Sequence, residues 1–443
     1  MTVAPKPRGA IATLGGFGRY CDLSATSPKR IKIMAKLKQF EGVVIGAGPA
    51  GLATGLAMAH FGLDCAVVGP KANPNDGRTA ALFQGSVALL KRTGVWSAIA
   101  PAATAIEAIR LIDATGSLFR APEVLFRARE IGEGSFGFNV RNSDLTAALE
   151  GVAQSKLTRI ETAGVTGIAP GAHEIRVSTS EGHEITAALL AGADGRNSLA
   201  RTSAGIATQS WSYPQSAVVC TFEHSRPHNG VSTEFHRRAG PLTTVPMPGN
   251  TSSLVWVEQP AEAERLTKLA DEAFLSELSG HLGGLLGALS GASTRRSFPL
   301  SGLTAESYGA NRIALIGEAA HVIPPIGAQG LNLSLRDGAT LAELVGAARN
   351  RGEDIGSSGV LAAYESRRRP DARNRIWTID ALNRTLLSEY LPVHLARGAG
   401  LFVIGQSGPL RRYLMREGIA PSNAAPELMR AHTGLSTSTS SST

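Results

Sequence analysis

An α/β fold is predicted for this chain: a Rossmann-like nucleotide-binding domain, interrupted by an inserted mixed β-sheet domain and followed by C-terminal helices. Three observations carry the prediction. A glycine fingerprint, VVIGAGPAGLA at Val43 to Ala53, joins a short apolar run to an Ala- and Leu-rich stretch without proline. About 270 residues later, Ile316 to Asp337 reads IGEAAHVIPPIGAQGLNLSLRD, the end of a buried strand, a proline- and glycine-containing loop and a helix. Between them, Tyr213 to Trp256 alternates short β-prone runs with turns.

A chain of 443 residues with 43% hydrophobic content can bury a large core and is long enough for two or more domains. The net charge of +8 is uneven, because residues 1–39 hold eight Lys and Arg against the single acid Asp22. The basic character belongs to that extension, so a nucleic-acid partner is not expected of the body. The extension is expected to be disordered, and either targets an organelle or lies upstream of a true start at Met34. Cys21, Cys65 and Cys220 are far apart and form no CxxC pair, which argues against zinc and against a disulfide framework. A reducing, cytoplasmic setting is expected. No run of 18 or more apolar residues exists, so no membrane span is expected.

Taken in order, Gly42 to Ile45 ends a strand and Leu52 to Phe61 forms a helix. In the turn between them Gly46 permits the bend, Gly48 lets backbone approach a pyrophosphate, and Gly51 lets helix and strand pack closely. Asp64 to Val68 is the next strand, completing a βαβ unit. An acidic residue for a ribose is expected at its end, but Gly69, Pro70 and Lys71 stand there. The ribose is left to backbone groups or to Asp76. A dinucleotide lying extended across such a domain needs both ends held by segments distant in sequence, which points to FAD rather than to nicotinamide alone.

Arg78 and Thr79 follow a polar turn and precede a helix-like run that closes at Gly94 and Trp96. Leu189 to Arg201, LLAGADGRNSLAR, runs a strand into Asp194 and Gly195, where the carboxylate can take ribose hydroxyls or cap the helix from Ser198. Together with Ile316 to Asp337, these motifs resemble the ubiquinone-biosynthesis hydroxylases, a branch of the single-component aromatic flavin monooxygenases. The resemblance covers roughly Phe40 to Ala420. It implies that Arg78 lies beside the flavin and gates the ring, that the Asp194 segment serves both FAD and the nicotinamide donor, and that Arg141 contributes to the cofactor site. It also implies that the carboxylate after Gly317 bonds the ribityl chain. The family has aspartate at that place, and this chain has Glu318.

The loop from Pro324 to Asn332 feeds a helix expected over Leu331 to Val345. A helix N-terminus offers about half a positive charge and unpaired N–H groups to a flavin that becomes anionic on reduction. Gly327, Gly330, Leu331 and Asn332 are the candidate ligands, with Pro324 near the ring. His321 could serve as an acid or base, but it follows a buried Ala-Ala pair and is read as structural.

Phe136 to Asn142 is expected to be the strand that leads back into the FAD domain. Phe235, Pro246 and Trp256 are pocket candidates, although aromatics at alternating positions more often face a core. The sequence after Pro370 reads as helical. Further on, an apolar patch at Leu401 to Ile404 accompanies Arg397, Arg411, Arg412 and Arg416. Two readings stand for it: docking on an anionic membrane, or a helical pair packed on the FAD domain. The Ser/Thr run at 436–443 is expected to be disordered.

The expected organisation is a basic extension at 1–39, a discontinuous FAD domain at 40–110, 141–205 and 300–370, and a substrate sheet at 111–140 and 206–299. A helical region follows at 371–435. The resemblance implies that NAD(P)H or another donor reduces FAD, and that a flavin hydroperoxide then hydroxylates the ring of a polyprenylated phenol. The expected partners are thus a lipophilic aromatic substrate and either a membrane surface or a quinone-biosynthesis complex. A small soluble aromatic substrate, or a non-catalytic flavin subunit, are the alternatives. No metal is expected.

Overall fold

The computed structural model describes residues 38–74, 76–116, 122–387, 406–419 and 425–430. The extension before Lys38, Arg397, the patch at Leu401 to Ile404 and the Ser/Thr run lie outside the described residues.

Five parallel strands form the heart of an eight-stranded sheet: β1 (Lys38–Ile45), β2 (Cys65–Gly69), β8 (Thr158–Glu161), β11 (Glu184–Gly192) and β19 (Ile313–Leu315). Their order is β19-β11-β1-β2-β8, with β18 (Gly309–Ala310) beyond β19 and the hairpin of β9 (Val165–Pro170) and β10 (Ile175–Thr179) against β11. The central strands are buried on both faces, as the continuous run CAVVG of β2 requires. α1 (Pro49–His60) connects β1 to β2, starting with Pro49 in its first turn, where a missing N–H costs nothing. On α1 packs α8 (Gln329–Asn350), so closely that a Cβ on Gly338 would lie 2.2 Å from Thr54 Oγ1.

A second, nine-stranded sheet runs β20-β17-β12-β15-β14-β13-β5-β6, with β16 (Leu289–Ser290) on β12. Its strands are β5 (Ala108–Asp113), β6 (Val124–Arg127), β12 (Thr208–His224), β13 (Val231–His236), β14 (Leu242–Met247), β15 (Thr251–Glu258), β17 (Arg296–Ala305) and β20 (His321–Val322). α6 (Pro260–Lys268) and α7 (Asp271–Leu282) cover one face, where Phe222, Phe235, Leu254 and Trp256 meet Phe274, Leu278 and Leu282. Fully burying one such side chain contributes about 1.5–3 kcal/mol.

A three-stranded sheet, β3 (Thr79–Phe83), β7 (Gly137–Arg141) and β4 (Thr104–Ile106), bridges the two. α2 (Gln84–Thr93), α3 (Trp96–Ile99), α4 (Asn142–Lys156) and α5 (Leu199–Ser203) complete this part.

The structure corrects several expectations. Thr79 to Phe83 is a strand paired with β7, an element not expected from the sequence, and the helix-like run that closes at Gly94 is α2, Gln84–Thr93. α8 starts at Gln329, so Gly330, Leu331 and Asn332 form its first turn. α9 spans Ser358–Leu387 straight through Pro370. Tyr364, Arg368, Ala372, Ile376, Ile379, Asn383 and Leu386 form one buried stripe across the proline, which itself is exposed, so tertiary burial overrides the local breaker. The positions 39/40, 110/111, 140/141, 299/300 and 370/371, where domain boundaries are expected, fall inside β1, β5, β7, β17 and α9. α10 (Gly408–Ile419) packs one face inward, with Met415 buried and Arg411 bonded to Leu125 O and, at 2.7 Å, to Glu130.

Candidate active site

The strand order reverses between β1 and β11, and ligands of open α/β sheets bind at the carboxyl ends of strands at such a point. All three motifs sit there. Ala193 N donates to Ile45 O at 2.7 Å, and Ile316 N to Gly192 O at 2.8 Å, which lines up the turns after β1, β11 and β19. Gly46 has φ +107°, and a Cβ on it would lie 2.1 Å from Ala193 O. A Cβ on Gly51 would lie 1.8 Å from Gly46 O. These two glycines are therefore demanded by the protein itself. Gly48 is different: its backbone is ordinary, it caps α1 without a side-chain bond, and nothing lies within 4 Å of its Cβ direction. An open glycine in front of an uncapped helix N-terminus fits the pyrophosphate of FAD.

The absent ribose carboxylate has a steric reason. A Cβ on Gly69 would come within 2.8 Å of Ala47 N and 3.0 Å of Ala47 Cβ, so the strand end lies against the glycine loop with no room for a side chain. Asp76 is committed elsewhere, accepting from Arg78 Nε at 2.9 Å and Nη2 at 2.8 Å. That bond to Arg78 holds the Asp76 carboxyl below its usual range, and Asp76 with nearby Glu318 raises the Arg78 guanidinium further. The charge of Glu318 in the third motif thus reaches Arg78, whose guanidinium lies 6.0 Å from the Phe298 ring. Thr79 pairs in register with Arg141, whose exposed side chain has no bonded partner among the described residues.

Asp194 is bound by its own helix. Ser198 Oγ donates to it at 2.6 Å and Ala200 N at 3.0 Å, but the N-cap of α5 is Ser198, whose Oγ accepts from Arg201 N, so Asp194 supports the cap rather than forming it, with acceptor capacity left on each of its oxygens. Arg201 then ties this turn to the third motif, donating to Ala319 O at 2.9 Å and Arg196 O at 2.8 Å.

Beneath the third motif lies a buried ionic network. Asp337, fully buried, accepts from Gly317 N at 3.0 Å, His321 Nε2 at 2.7 Å and Arg368 Nε at 2.7 Å. Burial pushes its carboxyl up, and the charges of His321 and Arg368 more than reverse that, leaving it below the usual range. Asp371 behaves alike, with burial opposed by Arg368, Arg336 and Arg375. His321 is therefore a structural partner of Asp337, and β20 carries it into the nine-stranded sheet. The chain passes from β19 in one sheet to β20 in the other within six residues, placing buried Pro324 and the loop to Leu331 at the junction of the sheets.

The N-terminus of α8 has no side-chain cap and no acid in its first turn. Gly327 and Gly330 have nothing within 4 Å of their Cβ directions, so this loop and helix start fit a second polar end of FAD. Asn332 has another task. Its Oδ1 accepts from Phe83 N at 2.9 Å and Ser86 Oγ at 2.7 Å, and its Nδ2 donates to Ala81 O and Ala328 O, both at 2.8 Å. Its side chain clamps α8 to β3 and α2, and only its backbone is left for a cofactor.

Phe235 and Trp256 face α6 and α7 and are core. The opposite face of the nine-stranded sheet carries Val219, Val245 and Val255, all half-buried, and Phe298, which is 38% exposed. Asn139 of β7 donates to Pro246 O at 3.0 Å and Ser253 Oγ at 3.1 Å, bringing the bridging sheet onto that face. A cavity of about 1080 Å³ beside Trp211, Arg373 and Trp377 shares no residue with the motifs. Among the described residues no cluster of His, Cys, Asp or Glu could hold a metal. The sequence motifs include Arg201 but not Arg368 or Asp371, since an isolated Arg or Asp in a helix carries no local signal of burial.

Polar loops suited to a dinucleotide, meeting a half-buried apolar sheet face, are what an FAD-dependent hydroxylase requires. The FAD binding domain family matches residues 39–376. Ubiquinone hydroxylase UbiL of Rhodospirillum rubrum is 34% identical over 405 residues, covering 89% of this chain and 92% of that protein. The 3-demethoxyubiquinol 3-hydroxylase of Escherichia coli is 28% identical over 383 residues, 84% of this chain and 96% of that one. The fold matches p-nitrophenol 4-monooxygenase PnpA from Pseudomonas putida with a TM-score of 0.70 at 19% identity, over 85% of this chain and 97% of that chain. The chain belongs to the FAD-binding-domain family of flavin-dependent aromatic monooxygenases, within its ubiquinone-hydroxylase branch.

Proposed function

We propose that this monooxygenase adds a hydroxyl to the ring of a polyprenylated phenol on the route to ubiquinone, with NAD(P)H as electron donor. The observation that carries the reading is the half-buried apolar face of the nine-stranded sheet, Val219, Val245, Val255 and Phe298, beside Arg78 and the Pro324 loop. The ubiquinone hydroxylases among the relatives, aligned over most of the chain, support the same substrate class. In this reading one part, built on the eight-stranded sheet, holds FAD, and the nine-stranded sheet holds the substrate.

FAD, when bound, supplies the redox chemistry and the activation of O₂. The residues Gly46, Gly48 and Gly51 would hold its pyrophosphate end, Asp194, Glu318 and Arg141 its polar chain, and Gly327, Gly330 and Leu331 its ring. The α8 N-terminus offers N–H groups and about half a positive charge where negative charge develops. Asp337, through Gly317 and His321, fixes the backbone from which Glu318 projects. The valine face excludes water and packs against the ring.

A lipid-borne substrate also calls for peripheral contact with a membrane. On α10 the outer side chains Leu410, Tyr413 and Leu414 are 38%, 61% and 40% exposed, beside exposed Arg412 and Arg416. No helix among the described residues is long and apolar enough to cross a membrane. Deleting the gene in its host and measuring the quinone pool by mass spectrometry tests the reading. Accumulation of a prenylated precursor one ring oxygen short supports it, and an unchanged quinone pool in a host without a redundant hydroxylase refutes it.

A further inference from the structure

We propose that Glu234, oriented by His236, anchors the ring hydroxyl of the substrate; the inference rests on the phenol reading above. Strand register places Glu234, Thr243, Val255, Val219 and Arg296 directly beside one another across five strands, all on the face opposite α6 and α7. This row lies between two landmarks. On one side is the row of Ser253, which Asn139 ties to the bridging sheet. On the other is the row of Ala217 and Phe298, and Phe298 meets Arg78. A carboxylate therefore stands on this face, at the β13 end of a row whose other members are Thr243, the two valines and Arg296.

Such a carboxylate is costly to bury unless it is paired and bonded. Glu234 is largely buried, its side chain 13% exposed, and its Oε1 lies 2.8 Å from His236 Nε2. An Nε2–H donating to the carboxylate is the tautomer that pairs donor with acceptor. Its Oε2 receives only a long bond of 3.4 Å from Thr243 Oγ1. A carboxylate has about four acceptor sites, so Oε2 has room for another donor. The buried Nδ1 of His236 has no hydrogen-bond partner among the described residues, so the one hydrogen bond that orients the ring is to Glu234. An incoming phenolic O–H satisfies the spare acceptor. It also polarises the hydroxyl towards the phenolate, enriching the ring, and fixes its rotation so that one carbon is presented. Glu234 is thus the contact and His236 the positioning residue.

The test titrates the FAD-loaded enzyme with ortho-geranylphenol and with its O-methyl ether, following the perturbation of flavin absorbance. Wild type is expected to prefer the phenol by on the order of 100-fold, because the ether leaves the carboxylate unpaired. Glu234→Gln puts an amide N–H where the spare acceptor stood and brings the two ligands to within a few-fold. His236→Gln keeps a donor to Glu234 and keeps the preference, whereas His236→Phe loses most of it. Full preference in flavin-replete Glu234→Gln overturns the assignment while leaving the hydroxylase reading intact. Should that variant not hold FAD, wild-type preference in both His236 variants overturns it instead. A wild type that neither binds nor oxidises any phenol sinks the phenol reading, and this inference with it.

Discussion

Replacing Asn332 by leucine separates a clamp from a cofactor ligand. Asn332 bonds Phe83 N, Ser86 Oγ, Ala81 O and Ala328 O at 2.7–2.9 Å. Among the described residues β3 pairs only with β7, and the outward Ala81 carbonyl and Phe83 amide are bonded by Asn332. Leucine keeps the branching at Cγ, is bulkier, and satisfies neither. Both groups are part-buried, so each costs up to about 1–3 kcal/mol once orphaned, at most roughly 2–6 kcal/mol for the pair. Ser86 can rotate and adds little. Ala328 sits at φ +52°, a left-handed conformation strained for a residue with a Cβ, and losing its bond to Asn332 Nδ2 loosens the start of α8 as well. Against a total stability of about 5–15 kcal/mol this is a large fraction. Urea unfolding of the FAD-free protein is the assay, followed by FAD titration. The clamp predicts a lower midpoint without cofactor and weaker FAD binding. An unchanged apo midpoint with FAD affinity alone reduced would refute the clamp and make the Asn332 side chain a direct ligand.

Other expectations follow from the same geometry. Gly48→Asp should fold with near-normal stability, because nothing lies within 4 Å of the new Cβ, yet should bind no FAD, since a carboxylate stands where the pyrophosphate belongs; stoichiometric flavin in the purified variant would refute that placement. Gly51→Ala should instead destabilise the apo protein in a thermal melt, its Cβ lying 1.8 Å from Gly46 O. Gly69→Glu restores the expected ribose carboxylate but collides with Ala47, so FAD affinity measured by fluorescence should fall; a rise would show that the loop can yield. Asp337 and Asp371 both have folded-state carboxyls below their ordinary values, so their stabilisation is present above the unfolded pKa near 4 and is lost as pH falls below it. Unfolding free energy should therefore drop on acidification below about pH 4, less steeply in Asp371→Asn, which is also weaker at neutral pH because three arginines lose their shared partner. Equal acid slopes would remove Asp371 from that account.

The βαβ unit around Gly46, Gly48 and Gly51 and the strands ending at Gly192 and Leu315 were legible in the sequence, because their constraints are local: a glycine where no side chain fits, an apolar run where both faces are covered. The same locality misled where tertiary contacts prevailed. Thr79 to Phe83, between a polar turn and the helix at Ser86, carries no strand signal of its own, yet it is a strand because β7 offers a partner. Pro370 reads as a boundary, yet the stripe from Tyr364 to Leu386 buries too much for the helix to end there. Asn332 and Asp194 were found by motif, but whether an oxygen serves the cofactor or the fold depends on which donors surround it, and those come from 250 residues away for Asn332 and from the adjacent helix for Asp194. The sequence by itself determined that a dinucleotide fold is present and where its glycines fall, since backbone sterics act over a few residues. Only the tertiary structure decided that Asp76 belongs to Arg78, that Gly69 has no room for a carboxylate, and that Glu234 faces the valine side of the sheet with His236 behind it. Those facts depend on strand register and on side chains meeting across long loops, and nothing in the spacing of neighbouring residues encodes them.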